Sequence, residues 1–318
     1  MTANTKASRC GDPDENLPAI DRAAELLGQL AERDRPLGAL TTYRVGGRAA
    51  LFSEPQHARD LEQISAAVAA TGVSLLVIGK GSNLLVADAG FAGLCVRLGE
   101  RFATIEIDGT SVRSGGATAY PVLARRTAAA GLTGMEWAVG IPGSVGGAVR
   151  MNAGGHGAET SDRLVRCEIV DLSGPGARTV EARDLALAYR HSVVGDSEVV
   201  VMAEFSLERG DAVESRVRIS EIVRWRRDHQ PGGQNAGSVF TNPPEDSAGR
   251  LVEEAGLKGM RIGTAAVSER HANFIQADPG GSADDVRRLI DEVQRLVAER
   301  LGVELITELR LVGFEEAR

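Results

Sequence analysis

Residues 138–157 read AVGIPGSVGGAVRMNAGGHG, a stretch dense in glycine and almost without charge. Glycine weakens helices and strands alike, so a run of this kind is expected where backbone must approach something closely and present several N–H donors. Pro142 stiffens the segment. A second glycine-rich segment lies upstream, VIGKGSNLLV at 77–86, directly after an apolar strand. Gly-x-Gly after a strand invites a dinucleotide-binding reading. That reading needs a third glycine and a helix opening at once. Asn83 stands where the third glycine belongs, and LLVADAG is a poor helix start. A tight loop whose amides and Ser82/Asn83 side chains meet phosphate oxygens fits better. Two such loops suggest one extended ligand carrying a pyrophosphate; ordinary turns or glycine-rich packing loops are the alternatives that the residues leave open.

The chain around these loops has 318 residues, 43 % hydrophobic and 25 % charged, with a formal net charge of -8. That length suggests two or three domains. The negative charge and 4 % aromatic content argue against nucleic acid as a partner. No apolar run reaches the roughly 20 residues of a membrane span. Cys10, Cys95 and Cys167 are scattered and odd in number, which suggests neither a metal site nor a disulfide framework and favours a reducing, cytoplasmic setting.

Pattern along the chain predicts an α+β protein. Residues 1–20 read as a disordered tail. Helices are expected at 21–33, 57–71 (ending at Gly72) and 121–130, strands at 40–52 and 73–79, a strand-turn-strand over 86–98, and a hairpin over 103–116 turning at Asp108-Gly109. Three β segments follow between 164 and 208. A boundary is expected near 208–211, followed by a helix at 213–227 with a basic end, RWRR. The last helix opens on Ser282 with Asp285 three residues on, a variant capping box, and closes at Gly302. The chain ends in a strand, ELITELRLVGF. On that strand Ile306, Glu308, Arg310 and Val312 share one face, so Glu308 and Arg310 can pair with each other.

The two loops, with TTYRVGG ahead of them and YRHS, GSVFTNP and ELRLVG behind, closely resemble the UDP-N-acetylenolpyruvoylglucosamine reductases, the MurB family, from about Leu40 to Phe314 and in the family's order. The resemblance implies a vanillyl-alcohol-oxidase/PCMH-type FAD-binding fold in two lobes, 21–110 and 111–209, plus a C-terminal α+β substrate domain, 210–318. It implies non-covalent FAD, NADPH as hydride source, a UDP-sugar substrate and a monomer. The cofactor is then expected against Tyr43, Arg44, Gly79, Lys80, Gly81, Ser82, Asn83, Leu84, Gly140, Pro142, Gly143, Ser144, Gly146, Gly147, Ala148, Asn152, Gly154 and Arg310. The implied reaction turns an enolpyruvyl ether into a lactyl ether, with hydride added at the methylene and a proton at the carbon beside the carboxylate. Such chemistry asks for a clamp on the carboxylate and a proton donor.

Three residues match the family's catalytic positions. Arg190 offers a guanidinium fork to the carboxylate. Ser238 matches the proton donor, and Glu308 matches a glutamate that polarises the carboxylate or carries a proton. Arg226, His229, Asn242, His271 and Asn273 are expected on the substrate. His229 stands where some relatives carry lysine, and His156 is expected near the flavin. Read from residue type alone, Arg190 could equally form a surface salt bridge, Ser238 a turn, and the RWRR end a balance to the helix dipole. The segment bearing a substrate-closing tyrosine in some members is missing between FSLERGD and RWRR, so the chain resembles the shorter subclass. The competing readings are another FAD-dependent oxidoreductase of the same fold, or a flavin-binding scaffold without turnover.

Overall fold

The computed structural model describes residues 13–174 and 176–314. Helix α1 spans Pro13–Leu27, so residues 13–20 are helical where a tail was expected, and the rest of that tail lies outside the described residues, as does Cys10. Its Ile20, Ala23 and Leu27 pack on Leu61, Ile64 and Val68 of α2 (Ala58–Thr71). The helix stops earlier than its apolar spacing suggested. Ala31–Pro36 instead forms β1, a strand of sequence AERDRP that pairs only with β2 (Arg48–Ser53). A charged strand at a sheet edge resists pairing with other chains, and its charge is what hid it from pattern reading. The sheet runs β1-β2-β5-β3, with β3 at Leu75–Val77 and β5 at Phe91–Val96 both parallel within it. Strand β4 (Leu84–Val86) stands apart from this sheet.

The second lobe begins with the expected hairpin, β6 (Ile105–Asp108) and β7 (Ser111–Gly115). Helix α3 (Tyr120–Ala129), the short β8 (Leu132–Thr133) and helix α4 (Val145–Arg150) follow. A small hairpin, β9 (Gly154–Gly155) with β10 (Ala158–Glu159), leads to β11 (Leu164–Asp171), β12 (Ala177–Glu181), β13 (Glu198–Ser206) and β14 (Glu208–Arg209). The main sheet has the order β12-β11-β13-β7-β6 and is antiparallel throughout.

Asp211 caps α5 (Ala212–His229), its Oδ1 accepting from the amides of Val213 and Glu214. Ile219 and Ile222 of α5 belong to the core of the second lobe. Glu136 anchors the helix there: its carboxylate accepts from Ser215 Oγ of α5 as well as from Thr133 Oγ1 and the Gly134 amide. We therefore infer a division after His229 and not at 210, because a helix belongs with the core that covers its apolar face.

The remaining chain builds α6 (Ala248–Glu254), a three-stranded sheet of β15 (Arg261–Ile262), β16 (Ala265–Val267) and β17 (Ile275–Ala277), and α7 (Ala283–Leu301). Helix α7 buries Val286, Leu289, Ile290, Val293, Leu296 and Val297. Each such side chain contributes about 1.5–3 kcal/mol by leaving water. Ser282 Oγ accepts from the Asp285 amide, but the reciprocal half of the capping box is absent. Asp285 Oδ2 instead accepts from the amide and hydroxyl of Thr264. The final strand is shorter than expected. Only Arg310–Val312 forms β18, which pairs in parallel with β4 of the first lobe, while Thr307 bridges to Phe240.

Candidate active site

The first glycine loop leaves β3 and turns through Gly79–Asn83 into β4. The second turns from a 3-10 segment at Glu136–Gly140 into α4, which Ser144 caps by accepting from the Gly147 amide. The loops meet as closely as glycine permits. A Cβ at Gly79 would lie 2.5 Å from Ser144 Oγ, and one at Gly143 would lie 3.4 Å from Ser82 Oγ. Gly81 serves the protein's own packing: it has φ +61, and a Cβ there would sit 2.3 Å from the Leu40 carbonyl oxygen and 2.7 Å from Thr41 Cα. Among the described residues, the amides of Lys80, Gly81, Ser82 and Asn83 donate to no protein acceptor.

Two cavities, about 440 and 650 Å³, adjoin along Val77–Lys80, Ser144, Gly147 and Arg150. The smaller runs between the lobes past Leu98, Thr118 and Val200. The larger opens toward the C-terminal domain and reaches Arg190, Ser238, Glu308 and Arg310. Together they form one elongated cleft with both glycine loops at its middle.

In the larger cavity Arg190 Nε donates to Glu308 Oε1 at 2.8 Å, and its Nη2 donates to the Gly154 carbonyl at 3.1 Å. Arg190 adopts φ 54, and its guanidinium lies 4.9 Å from the Tyr189 ring centre. Burial pushes the Glu308 carboxyl above its ordinary range, with the Arg190 charge and hydrogen bond acting against that rise. The backbone around Glu308 ties the C-terminal domain to the first lobe. Its amide donates to the Val239 carbonyl at 2.7 Å, its carbonyl accepts from Asn83 Nδ2 at 3.2 Å, and the Arg310 amide donates to the Asn83 carbonyl at 3.1 Å. The expected Glu308–Arg310 pair does not form. Arg310 pairs with Asp196 at 3.1 Å, an aspartate that Arg150 also holds at 2.5 Å.

Of the expected cofactor residues, Gly79, Lys80, Gly81, Ser82, Asn83, Leu84, Gly140, Pro142, Gly143, Ser144, Gly147, Ala148, Gly154 and Arg310 line the larger cavity, as do Arg226, Asn242 and His156. Gly146 lines only the smaller one. Asn152 is fully buried; it donates to the Ala188 carbonyl and accepts from the Ser161 amide, tying the glycine segment to the loop that carries Arg190. Tyr43 is fully buried in the core of the C-terminal domain, in one cluster with Ala236 and Phe240, and does not itself line the cavity. Arg44 lies on a separate depression beside Lys80 and Arg97.

Three expected substrate residues lie off the cavity wall. His229 is exposed, stacks on Trp225 with ring centres 4.7 Å apart, and its Nδ1 lies 2.8 Å from the Trp225 carbonyl. His271 packs against Phe274, and burial lowers its pKa. Asn273 is buried, its amide engaged on Phe240. Arg226 reaches the wall within the second lobe, where Nη1 donates to the Gly140 carbonyl; burial lowers its pKa. Sequence reading passed over Arg150, the one cation within the second glycine segment, and Trp225 inside RWRR. Both line the cavity.

Residues 49–178 match a family described as an FAD binding domain, and residues 229–312 match the UDP-N-acetylenolpyruvoylglucosamine reductase C-terminal domain. The second match begins at the end of α5. A UDP-N-acetylenolpyruvoylglucosamine reductase of Acidiphilium cryptum is 45 % identical over 281 residues, covering 88 % of this chain and 90 % of that protein. One from Rubrobacter xylanophilus is 40 % identical over 295 residues, covering 92 % and 99 %. The crystal structure of the reductase from Thermus caldophilus superposes with a TM-score of 0.76 at 36 % identity, over 89 % of this chain and 98 % of that one. With the glycine loops, the cleft and the C-terminal domain all in place, the chain belongs to the UDP-N-acetylenolpyruvoylglucosamine reductase family.

Proposed function

We propose that the chain is an NADPH-dependent, FAD-containing reductase that converts enolpyruvyl-UDP-N-acetylglucosamine to UDP-N-acetylmuramate, a step in peptidoglycan precursor synthesis. The observation that carries the reading is the Arg190–Glu308 pair in the same cavity as Ser238, at one end of a cleft built by both glycine loops. The residues present fit FAD. Four successive amides at 80–83 free of protein acceptors suit a pyrophosphate, and the cleft is elongated and two-ended. Gly79 and Gly143 let the two loops come together, and Gly147 borders both cavities without a side chain to fill them.

When bound, FAD supplies hydride transfer, from NADPH to the flavin and from the flavin to the enolpyruvyl methylene. The chain's own residues handle charge and the proton. Arg190 has committed Nε and Nη2, and its Nη1 donates to no protein acceptor among the described residues, so the guanidinium can hold the substrate carboxylate as charge builds on it. Ser238 gives its proton to the carbon beside that carboxylate. Glu308, pushed toward its neutral form by burial, can hold a proton next to the same group. Arg226 and Asn242 stand on the cavity wall where a diphosphate can be met.

A cytoplasmic monomer completes the proposal. Among the described residues Cys95 and Cys167 are free and buried, in keeping with a reducing compartment. No helix among the described residues is long and apolar enough to cross a membrane.

The test is anaerobic stopped-flow absorbance of the holoenzyme. NADPH bleaches the flavin band, and adding the enolpyruvyl sugar nucleotide restores it with formation of the lactyl ether. A flavin that bleaches and stays bleached in the presence of that substrate points to a different flavoenzyme on the same fold.

A further inference from the structure

We propose that Asn273 is a positioning residue for Ser238, acting through the backbone of Val239 and Phe240 and not through contact with substrate. The inference rests on Ser238 as the proton donor of the proposed reaction. Ser238 lies on an irregular segment between Gly237 and Thr241, so no strand or helix fixes its hydroxyl. What fixes it is the pairing of the two residues that follow it, half of it by one side chain. Asn273 Oδ1 accepts from the Phe240 amide at 2.9 Å, and Asn273 Nδ2 donates to the Phe240 carbonyl at 2.8 Å. The Asn273 carbonyl accepts from the Val239 amide at 2.8 Å, and the Val239 carbonyl accepts from the Glu308 amide at 2.7 Å. All four backbone polar groups of Val239 and Phe240 are thereby paired. On the side away from the Thr307 bridge, Asn273 does the work of a missing strand neighbour, with its side-chain amide on Phe240 and its carbonyl on Val239.

Asn273 is 3 % exposed and Phe240 is 1 % exposed, so water cannot replace either bond. A buried polar group deprived of its partner bears its full desolvation cost, and the segment must move to relieve it. Movement there carries Ser238 directly, while Glu308 keeps its own ties to Arg190 and Asn83. A misplacement of about 1 Å in a reacting group lowers a rate on the order of 10²-fold.

Asn273→Asp is the discriminating variant because it preserves shape. Its ionised carboxylate can accept from the Phe240 amide but has nothing to donate to the Phe240 carbonyl; its neutral form can do both. Burial pushes such a carboxyl upward. His271, whose Nδ1 accepts from the Asn273 amide at 3.3 Å, is the neighbouring titratable group, so every rate is taken relative to wild type at the same pH. Holoenzyme is reduced with NADPH, then mixed with the enolpyruvyl substrate. The expected result is reoxidation slowed by at least about 10-fold at about pH 8, a ratio that closes toward wild type at about pH 5.5, with reduction by NADPH little changed. Asn273→Asp combined with Ser238→Ala is expected to be no slower than Ser238→Ala alone. Wild-type reoxidation by Asn273→Asp at the higher pH, equal slowing of both half-reactions, or full additivity in the double variant overturns the inference while leaving Ser238 as donor. Normal reoxidation by Ser238→Ala overturns the donor reading itself, and the positioning role with it.

Discussion

Gly147 is where the cleft is most sensitive to a single side chain. It sits in the first turn of α4 and borders both cavities. A Cβ built there meets only Ser144 Oγ, at 3.4 Å, which is tight but relieved by a small turn of the hydroxyl. Valine is also a few tenths of a kcal/mol better than glycine within a helix. Gly147→Val should therefore leave the apoprotein as stable as wild type. Its two methyl groups enter the space where the glycine loops converge. Overpacking of that kind costs about 1–3 kcal/mol, which is roughly 5- to 150-fold in FAD affinity. Gly81→Val should behave in the opposite manner. Left-handed backbone costs a branched residue about 1–2 kcal/mol, and the overlap with Leu40 and Thr41 forces backbone apart, so the apoprotein itself should melt early. The assay strips FAD from each protein, measures apoprotein melting, and titrates FAD back by fluorescence. Wild-type FAD affinity in Gly147→Val, or an apoprotein that melts well below wild type, refutes the placement of the cofactor against α4.

Arg190→Lys keeps the charge but loses the fork that reaches Glu308 and Gly154 together, and reoxidation by the enolpyruvyl substrate should fall on the order of 10²-fold or more; near-normal stopped-flow kinetics make Arg190 a structural partner of Glu308 only. Ser238→Ala should be reduced by NADPH near the wild-type rate yet reoxidise orders of magnitude more slowly, with partial recovery in Ser238→Cys; equal slowing of both steps makes Ser238 a shaping residue. Burial pushes the Glu136 carboxyl up, but the hydrogen bonds from Ser215, Thr133 and the Gly134 amide outweigh it and leave its pKa low, so its contribution is present above the ordinary carboxylate pKa and fades as pH falls through the depressed value. Glu136→Gln should accordingly lose about 1.5–3 kcal/mol in urea unfolding at neutral pH and progressively less below about pH 4; a loss that does not shrink in acid contradicts the assignment.

What could be read from the chain was local. Helix α2 and helix α7 announce themselves by apolar spacing and a closing glycine, and the hairpin at 105–115 by alternation about a turn. The glycine loops are legible because few physical needs other than close approach explain them. Strand β1 was hidden because AERDRP is a sheet edge, where charge outweighs β propensity. The site was legible as a set of residues but not as a set of bonds. The two-residue spacing of Glu308 and Arg310 suggested a mutual pair, yet each found its partner far away in sequence, Arg190 and Asp196. Asn152 and Asn273 resemble ligand-contacting amides in the sequence, and the structure shows both buried on backbone. Nothing in residue type separates an amide that holds a ligand from one that holds a loop; only the neighbours do.

Those long-range bonds also decide which parts of the site move as one. Strand β18 pairs with β4, and Asn83 binds the backbone at 308 and 310 with both its side chain and its carbonyl. On the other side of the C-terminal domain, Asp88 accepts from Ser282 Oγ and from the Ala283 and Asp284 amides, capping α7 from the first lobe. The first glycine loop and Glu308 are thus joined by backbone pairing, and α7 is fastened to the same lobe. Arg190 belongs to the second lobe and meets Glu308 only through side chains. A substrate carboxylate entering between them competes for one guanidinium without having to break a sheet. The loop at 186–191 that carries Arg190 is itself held in place, with Ala186 and Arg190 in left-handed backbone and Asn152 tying the loop to the second glycine segment. Strain stored in that loop is compatible with holding Arg190 ready, because left-handed residues persist only where surrounding structure over-determines them.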